Sequence, residues 1–148
     1  MSESPRVAFV TGGSSVIGWE TGRLLVAAGY DVVLTARREA VLKAAADEIG
    51  ARYVAADSAE VDEFAEVVAA CGGRVDLLVH AAGVNEGTFV RQESIDTFDN
   101  VIRVNLRSAF VVSQAVLALM PPGGRIIVVS SSSAHEPHPG NTAYRHSQ

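Results

Sequence analysis

The stretch "TGGSSVIG", Thr11 to Gly18, sets three glycines and two serines between an apolar run and a helical pattern. A glycine-containing turn that opens a helix presents free backbone N–H groups and the positive end of a dipole, a seat for phosphate. The same turn also serves plain strand-to-helix geometry, and the residues alone leave both readings open. After the next apolar run comes "ARR", Ala36 to Arg38. A ribose 2′-phosphate wants arginine there, whereas a free 2′-hydroxyl wants an acid; a solvated helix start is the alternative. Asp57 follows a third run, as a ligand contact or as a helix cap. "HAAG", His80 to Gly83, follows a fourth, and a serine run leading to Tyr144 follows a fifth.

The elements that must carry these residues alternate regularly. Val7–Thr11 is apolar without alternation, as a strand buried on both faces would be. Ile17–Ala28 has helical spacing and closes at Gly29. Asp31–Thr35, Tyr53–Ala56, Val75–His80 and Arg125–Ser131 read as further strands. Ala40–Ile49, Ala59–Cys71 and a long segment from Ile95 to Met120 read as helices. Strand and helix alternating five times predicts a doubly wound α/β fold with a parallel sheet. Ligands in such folds sit beyond the carboxyl ends of the strands, where the residues above lie.

Composition narrows the partners. The chain has 148 residues, 48% of them hydrophobic, which is enough for one domain with its own core. A net charge of −5 without a basic run argues against nucleic acid. Cys71 is the only cysteine, so neither a disulfide framework nor a cysteine metal cluster is expected. No apolar run is long enough to span a bilayer, and the N-terminus lacks a signal pattern, so a cytoplasmic location is expected. His135, Glu136 and His138 read as solvated loop residues, and no metal site is expected.

The joint order of "TGGSSVIG", "ARR", Asp57, "LLVHAAG", "NVIRVNLRSAF", "GGRIIVVSS" and Tyr144 resembles the short-chain dehydrogenase/reductase family from Val7 to Gln148. The resemblance implies a Rossmann-like sheet of about five strands in one NAD(P)-binding domain over residues 1–148, lacking the family's last strands and helices. It implies a cofactor loop of Thr11, Gly12, Gly13, Ser14, Ser15, Ile17 and Gly18. His80, Ala81, Ala82 and Gly83 would line the cofactor, and Asp57 would meet its adenine end. Arg37, with Arg38 beside it, resembles the subgroup that prefers NADP(H) over NAD(H). Tyr144 matches the family's acid/base, and Ser131, thirteen residues earlier, matches the serine that orients a substrate carbonyl. Asn105 matches the asparagine that holds a proton-relay water. A small carbonyl or alcohol substrate follows, as does a homo-oligomer through the helix over 95–120.

Four positions in three motifs depart from the family pattern. Val16 stands where a glycine lets backbone approach the pyrophosphate, and a stiff β-branched side chain there predicts weakened cofactor affinity. A left-handed backbone at that position would make valine worse still. His80 and Ala81 replace two asparagines, as in ketoreductase modules of polyketide assembly lines. Gln148 replaces a lysine that sits one helical turn from the tyrosine, lowers its phenol pKa and holds the nicotinamide ribose. Lys43 is too far along the chain to substitute, and Arg145 should point to another side of the helix. An oxidoreductase with impaired activity is therefore expected. The alternatives are a non-catalytic nucleotide-binding or partner module and a truncated remnant.

Overall fold

The computed structural model describes residues 5–136 and 139–148. Its strands are β1 (Val7–Thr11), β2 (Asp31–Ala36), β3 (Arg52–Ala55), β4 (Leu77–His80) and β5 (Arg125–Val128). Between and after them run α1 (Val16–Ala27), α2 (Glu39–Ile49), α3 (Phe64–Ala70), α4 (Ile95–Ile102), α5 (Ser108–Leu117) and α6 (Thr142–His146). The strands are all parallel and pair in the order β3-β2-β1-β4-β5. The chain thus moves outward from β1 to β3, returns, and moves outward the other way through β4. That reversal opens a crevice beyond the carboxyl ends of β1 and β4, where doubly wound sheets bind ligands. The expected Rossmann-like architecture is the observed one.

The central position of β1 explains its unbroken apolar run. Val7 and Phe9 face a core completed by Val67, Leu78 and Val112, whereas Ala8 and Val10 face one completed by Leu42 and Ala46. Both faces are covered by helices, so no residue of β1 needs to be polar for solvent. The edges are tied differently. Arg52 on β3 makes a bidentate pair with Asp31 on β2 at 2.9 and 2.6 Å. On the other side, β5 is an edge strand with Ile127 and Val128 exposed.

Three of the differences from the element boundaries that the sequence predicts bear on the site. The third helix begins at Phe64 instead of Ala59. Residues before it form a turn in which Asp57 Oδ1 accepts the Ala59 N–H at 2.9 Å and Glu63 accepts the Asp57 N–H at 2.6 Å. β5 ends at Val128, and Ser131 lies beyond it as the cap of a 3₁₀ turn, Ser132–Ala134. The long helix over 95–120 is not uniform: α4 and α5 are joined by a π-helical turn, Arg103–Arg107, and α5 ends at Leu117. In that turn the Ser108 N–H reaches back five residues to the Arg103 carbonyl. Such widened turns concentrate at functional sites.

Of the apolar residues on this helix, Val101 and Val111 are core, whereas Phe110 is 66% exposed. Leu106 and Leu117 are exposed too. Among the described residues no helix is long and apolar enough to cross a membrane.

Candidate active site

The loop after β1 is held by backbone and glycine. Gly12 has φ +68°, and a Cβ there would lie 2.8 Å from the Ala81 backbone after β4. A Cβ at Gly18 would lie 2.1 Å from the Gly12 carbonyl oxygen, so this loop closes onto α1 only without side chains. Gly13 is fixed by its N–H to the Thr35 carbonyl at 3.0 Å. The Ser15 hydroxyl donates to the Gly12 carbonyl at 2.7 Å and accepts the Gly18 N–H at 3.4 Å, capping α1. The N–H groups of Val16 and Ile17 have no helical carbonyl four residues back, and they point out of the positive end of α1.

A cleft of about 360 Å³ opens over this loop. Gly12, Ser14 and Ser15 line it from β1, Arg37 and Arg38 from β2, Asp57 from β3, and Ala81, Ala82 and Gly83 from β4. These are cofactor-contact residues expected from the sequence, gathered from the ends of four strands. Thr11, Gly13, Gly18 and His80 lie behind the wall and shape it. Burial alone would raise the Asp57 pKa; the Ala59 N–H and Arg103, with Arg37 nearby, outweigh it and hold the carboxyl below its ordinary range. Arg103, from the π-turn, reaches Asp57 at 3.0 Å and Glu60 at 2.9 Å.

A second cleft of about 350 Å³ adjoins the first and shares Ser15 and Ala81 to Val84 as its wall. Tyr144, Asn105, Ile17, Val16 and Gln148 line it. Ser130 also lines it, whereas the Ser131 hydroxyl accepts the Ser133 N–H at 3.2 Å. Val16 is 84% exposed. It begins α1, and no non-glycine residue described has positive φ, so a left-handed backbone is not required there. Lys43 lies on α2, paired with Asp47 at 2.5 Å. Arg145 turns away and donates to the Ser133 carbonyl at 3.3 Å. His138 lies outside the described residues.

Asn105 stands at the centre of the π-turn, buried. Its Oδ1 accepts the Val84 N–H at 2.8 Å, and its Nδ2 donates to the Val84 carbonyl at 2.9 Å and to Ser147 Oγ at 2.8 Å. Gly83 allows this approach, because a Cβ there would sit 3.3 Å from Asn105 Oδ1. Below it, His80 is buried with Nδ1 2.8 Å from Thr11 Oγ1 and Nε2 3.0 Å from Ser108 Oγ. Burial pushes its pKa down to about 4, so the ring is neutral at pH 7. Sequence reasoning did not find Ser108, Ser147 or Arg103. Each acts across 28 or more residues, as the separations of 28, 42 and 46 show, and no local pattern marks such partners.

Residues 6–148 match the family model described as short chain dehydrogenase. The chain is 37% identical over 155 aligned residues to a short chain dehydrogenase of Pseudocercospora fijiensis, covering 97% of this chain and 50% of that protein. It is 34% identical to the 2-dehydro-3-deoxy-L-rhamnonate dehydrogenase (NAD(+)) of a Sphingomonas strain, covering 94% of this chain and 59% of that one. Among solved structures, the F189W actinorhodin polyketide ketoreductase with NADPH superposes with a TM-score of 0.89 at 30% identity, covering 97% and 59%. The chain thus spans about half to three fifths of the length of these relatives.

Proposed function

The chain belongs to the short chain dehydrogenase family, and we propose that it binds a nicotinamide dinucleotide, NADP(H) in preference to NAD(H), along the two adjoining clefts. The observation that carries this reading is their shared wall. A ligand lying on Ser15 and Ala81 to Val84 would reach Arg37 and Asp57 at one end and Tyr144 at the other. The residues suit such a group: the open N–H groups of α1 and two arginines favour phosphate, and the Asp57 carboxylate can accept from an exocyclic amine. The bound nicotinamide would supply or take up hydride.

The protein's own groups would do the rest. Arg37 and Arg38 would bind the 2′-phosphate, as guanidinium does bidentately. Tyr144 Oη would give a proton to a carbonyl oxygen during reduction, or take one from an alcohol during oxidation. Ser131, which caps the 3₁₀ turn next to the cleft-lining Ser130, would orient that oxygen once its hydroxyl turned toward the cleft. Both amide hydrogens of Asn105 are engaged with Val84 and Ser147, which leaves a lone pair of Oδ1 to hold a relay water. The substrate would be a small carbonyl or alcohol.

A second reading, a nucleotide-binding module without turnover, is favoured by Gln148. A neutral amide lines the Tyr144 cleft where the family's ammonium would stand. Calorimetric titration with NADPH, and with NADH beside it, tests the site itself. Tighter NADPH binding supports the proposal. Absence of heat with either, from protein whose circular dichroism shows it folded, would refute it. Binding without carbonyl reduction, across a panel of ketones, would select the second reading.

A further inference from the structure

We infer that His80 is a positioning residue, held as its Nε2–H tautomer between Thr11 and Ser108, that fixes the widened turn carrying Asn105. Its bearing on catalysis rests on the function proposed above; the assignment itself does not.

The direction of each hydrogen bond follows from counting protons. The Ser108 hydroxyl has one hydrogen and donates it to the Val104 carbonyl in a short contact. Toward His80 it can therefore only accept, so Nε2 carries the hydrogen. In a neutral imidazole the other nitrogen is then an acceptor. Nδ1 takes the Thr11 hydroxyl proton at 2.8 Å. The Thr11 oxygen in turn accepts the N–H groups of Ala81 and Ala82, each at 3.1 Å. Every donor meets one acceptor, from the loop after β4 to the carbonyl of Val104.

The reverse tautomer breaks this match twice. An Nδ1–H would face an oxygen that already receives two N–H groups, and the Thr11 proton would have to turn away. Nε2 would need a donor, which Ser108 could supply only by releasing Val104. Protonation of the ring carries the first of these costs, at a residue only 1% exposed to solvent.

Val104 is where the chain of bonds meets the catalytic candidates. The Ser108 N–H is spent on the Arg103 carbonyl, so the Ser108 hydroxyl takes the place of that N–H at the Val104 carbonyl, four residues back. This keeps the turn wide. The next residue is Asn105, whose amide clasps Val84 beside the Tyr144 cleft. A ring that only tied β1 to β4 would need its bond to Thr11 and nothing more. The bond to Ser108 is what reaches Asn105.

The two bonds can be separated by substitution. In His80→Asn the side-chain oxygen lies near the place of Nδ1 and can accept from Thr11, but nothing reaches Ser108. In His80→Gln the amide nitrogen lies near the place of Nε2 and can donate to Ser108. The experiment is solution NMR of the full chain, ¹⁵N-labelled and without cofactor. His80, identified by loss of its signals in the variants, should show Nε2 protonated and Nδ1 bearing a lone pair, unchanged from about pH 8 to about pH 6. Asn105 side-chain amide hydrogens should exchange about tenfold faster in His80→Asn, the factor one ordinary hydrogen bond represents, and at nearly the native rate in His80→Gln.

An Nδ1–H tautomer, or an Asn105 amide protected in His80→Asn and freed in His80→Gln, would overturn the inference. If either variant does not fold, Ser108→Ala puts the same question from the other end: unchanged Asn105 exchange overturns it, and faster exchange supports it. Loss of NADPH binding by the native protein would sink the proposed function and leave these readings intact.

Discussion

Asn105 and Val84 are joined edge to edge, the side-chain amide of one pairing with both the N–H and the carbonyl of the other at 2.8 and 2.9 Å. The pair behaves like one rung of a sheet ladder made with a side chain. It fastens the loop after β4 to the π-turn, and the third bond, to Ser147, adds the segment that follows Tyr144. Replacing Asn105 by Ala would leave the N–H and carbonyl of Val84, a partly buried residue, without their side-chain partner. At the lower end of about 1–3 kcal/mol for each orphaned group, a loss of about 2 kcal/mol is expected from urea unfolding. A loss under about 1 kcal/mol would mean that water enters and replaces the amide.

Arg37 should set the cofactor preference. Arg37→Ala is expected to weaken NADPH binding about tenfold to a hundredfold and NADH binding by less than about threefold, since a charge-assisted hydrogen bond contributes about 1.5–3 kcal/mol. Paired calorimetric titrations check this. Equal loss for both cofactors would show that Arg37 serves the loop and not the 2′-phosphate.

Val16 is the departure that a single substitution can reverse. Its side chain is 84% exposed, so Val16→Gly removes little packing and should cost under about 1 kcal/mol in stability. The freed backbone approach at the start of α1 is expected to tighten NADPH binding by about tenfold, the value of one good contact to phosphate. Adding Gln148→Lys places a cation in the Tyr144 cleft and should tighten it further. Unchanged affinity in Val16→Gly would show that the isopropyl group lies clear of the bound cofactor.

Acid should destabilise the protein through His80. Its pKa falls from 6.5 to about 4 on burial, so the unfolded chain binds the proton more readily than the folded one. Stability is therefore full above about pH 6.5 and declines as pH drops toward 4, by about 3 kcal/mol at about 1.4 kcal/mol per pH unit. Asp57 and Asp76 have depressed values and lose their contributions only below their ordinary value of 3.8, a separate and lower window. Urea midpoints measured from about pH 8 to about pH 4.5 check the sign, and His80→Gln should flatten the slope.

Much of the frame can be read directly from the chain. The unbroken apolar run of β1, the glycines at 12 and 18 and the alternation of strand with helix mark a doubly wound sheet, and each is a local property. Gly12 and Gly18 are legible because backbone approaches of 2.8 and 2.1 Å tolerate no side chain. The gathering of Arg37, Asp57 and Ala81 into one cleft follows from the same alternation, since every such residue ends a parallel strand. The break in the long helix was not legible: Ile95 to Met120 has helical spacing throughout, and the residues of the widened turn at Arg103–Arg107 bond to the loops after β3 and β4.

The sequence by itself determined the fold class, the family, and the strand-end residues that the fold gathers along the first cleft, because periodicity and glycine are written locally. Only the tertiary structure decided how Asn105 and His80 are used. A buried polar group takes its role from whatever partner the packing brings within about 3 Å. For His80 those partners are Thr11 and Ser108, at separations of 69 and 28 residues, and their proton count sets which ring nitrogen carries the hydrogen.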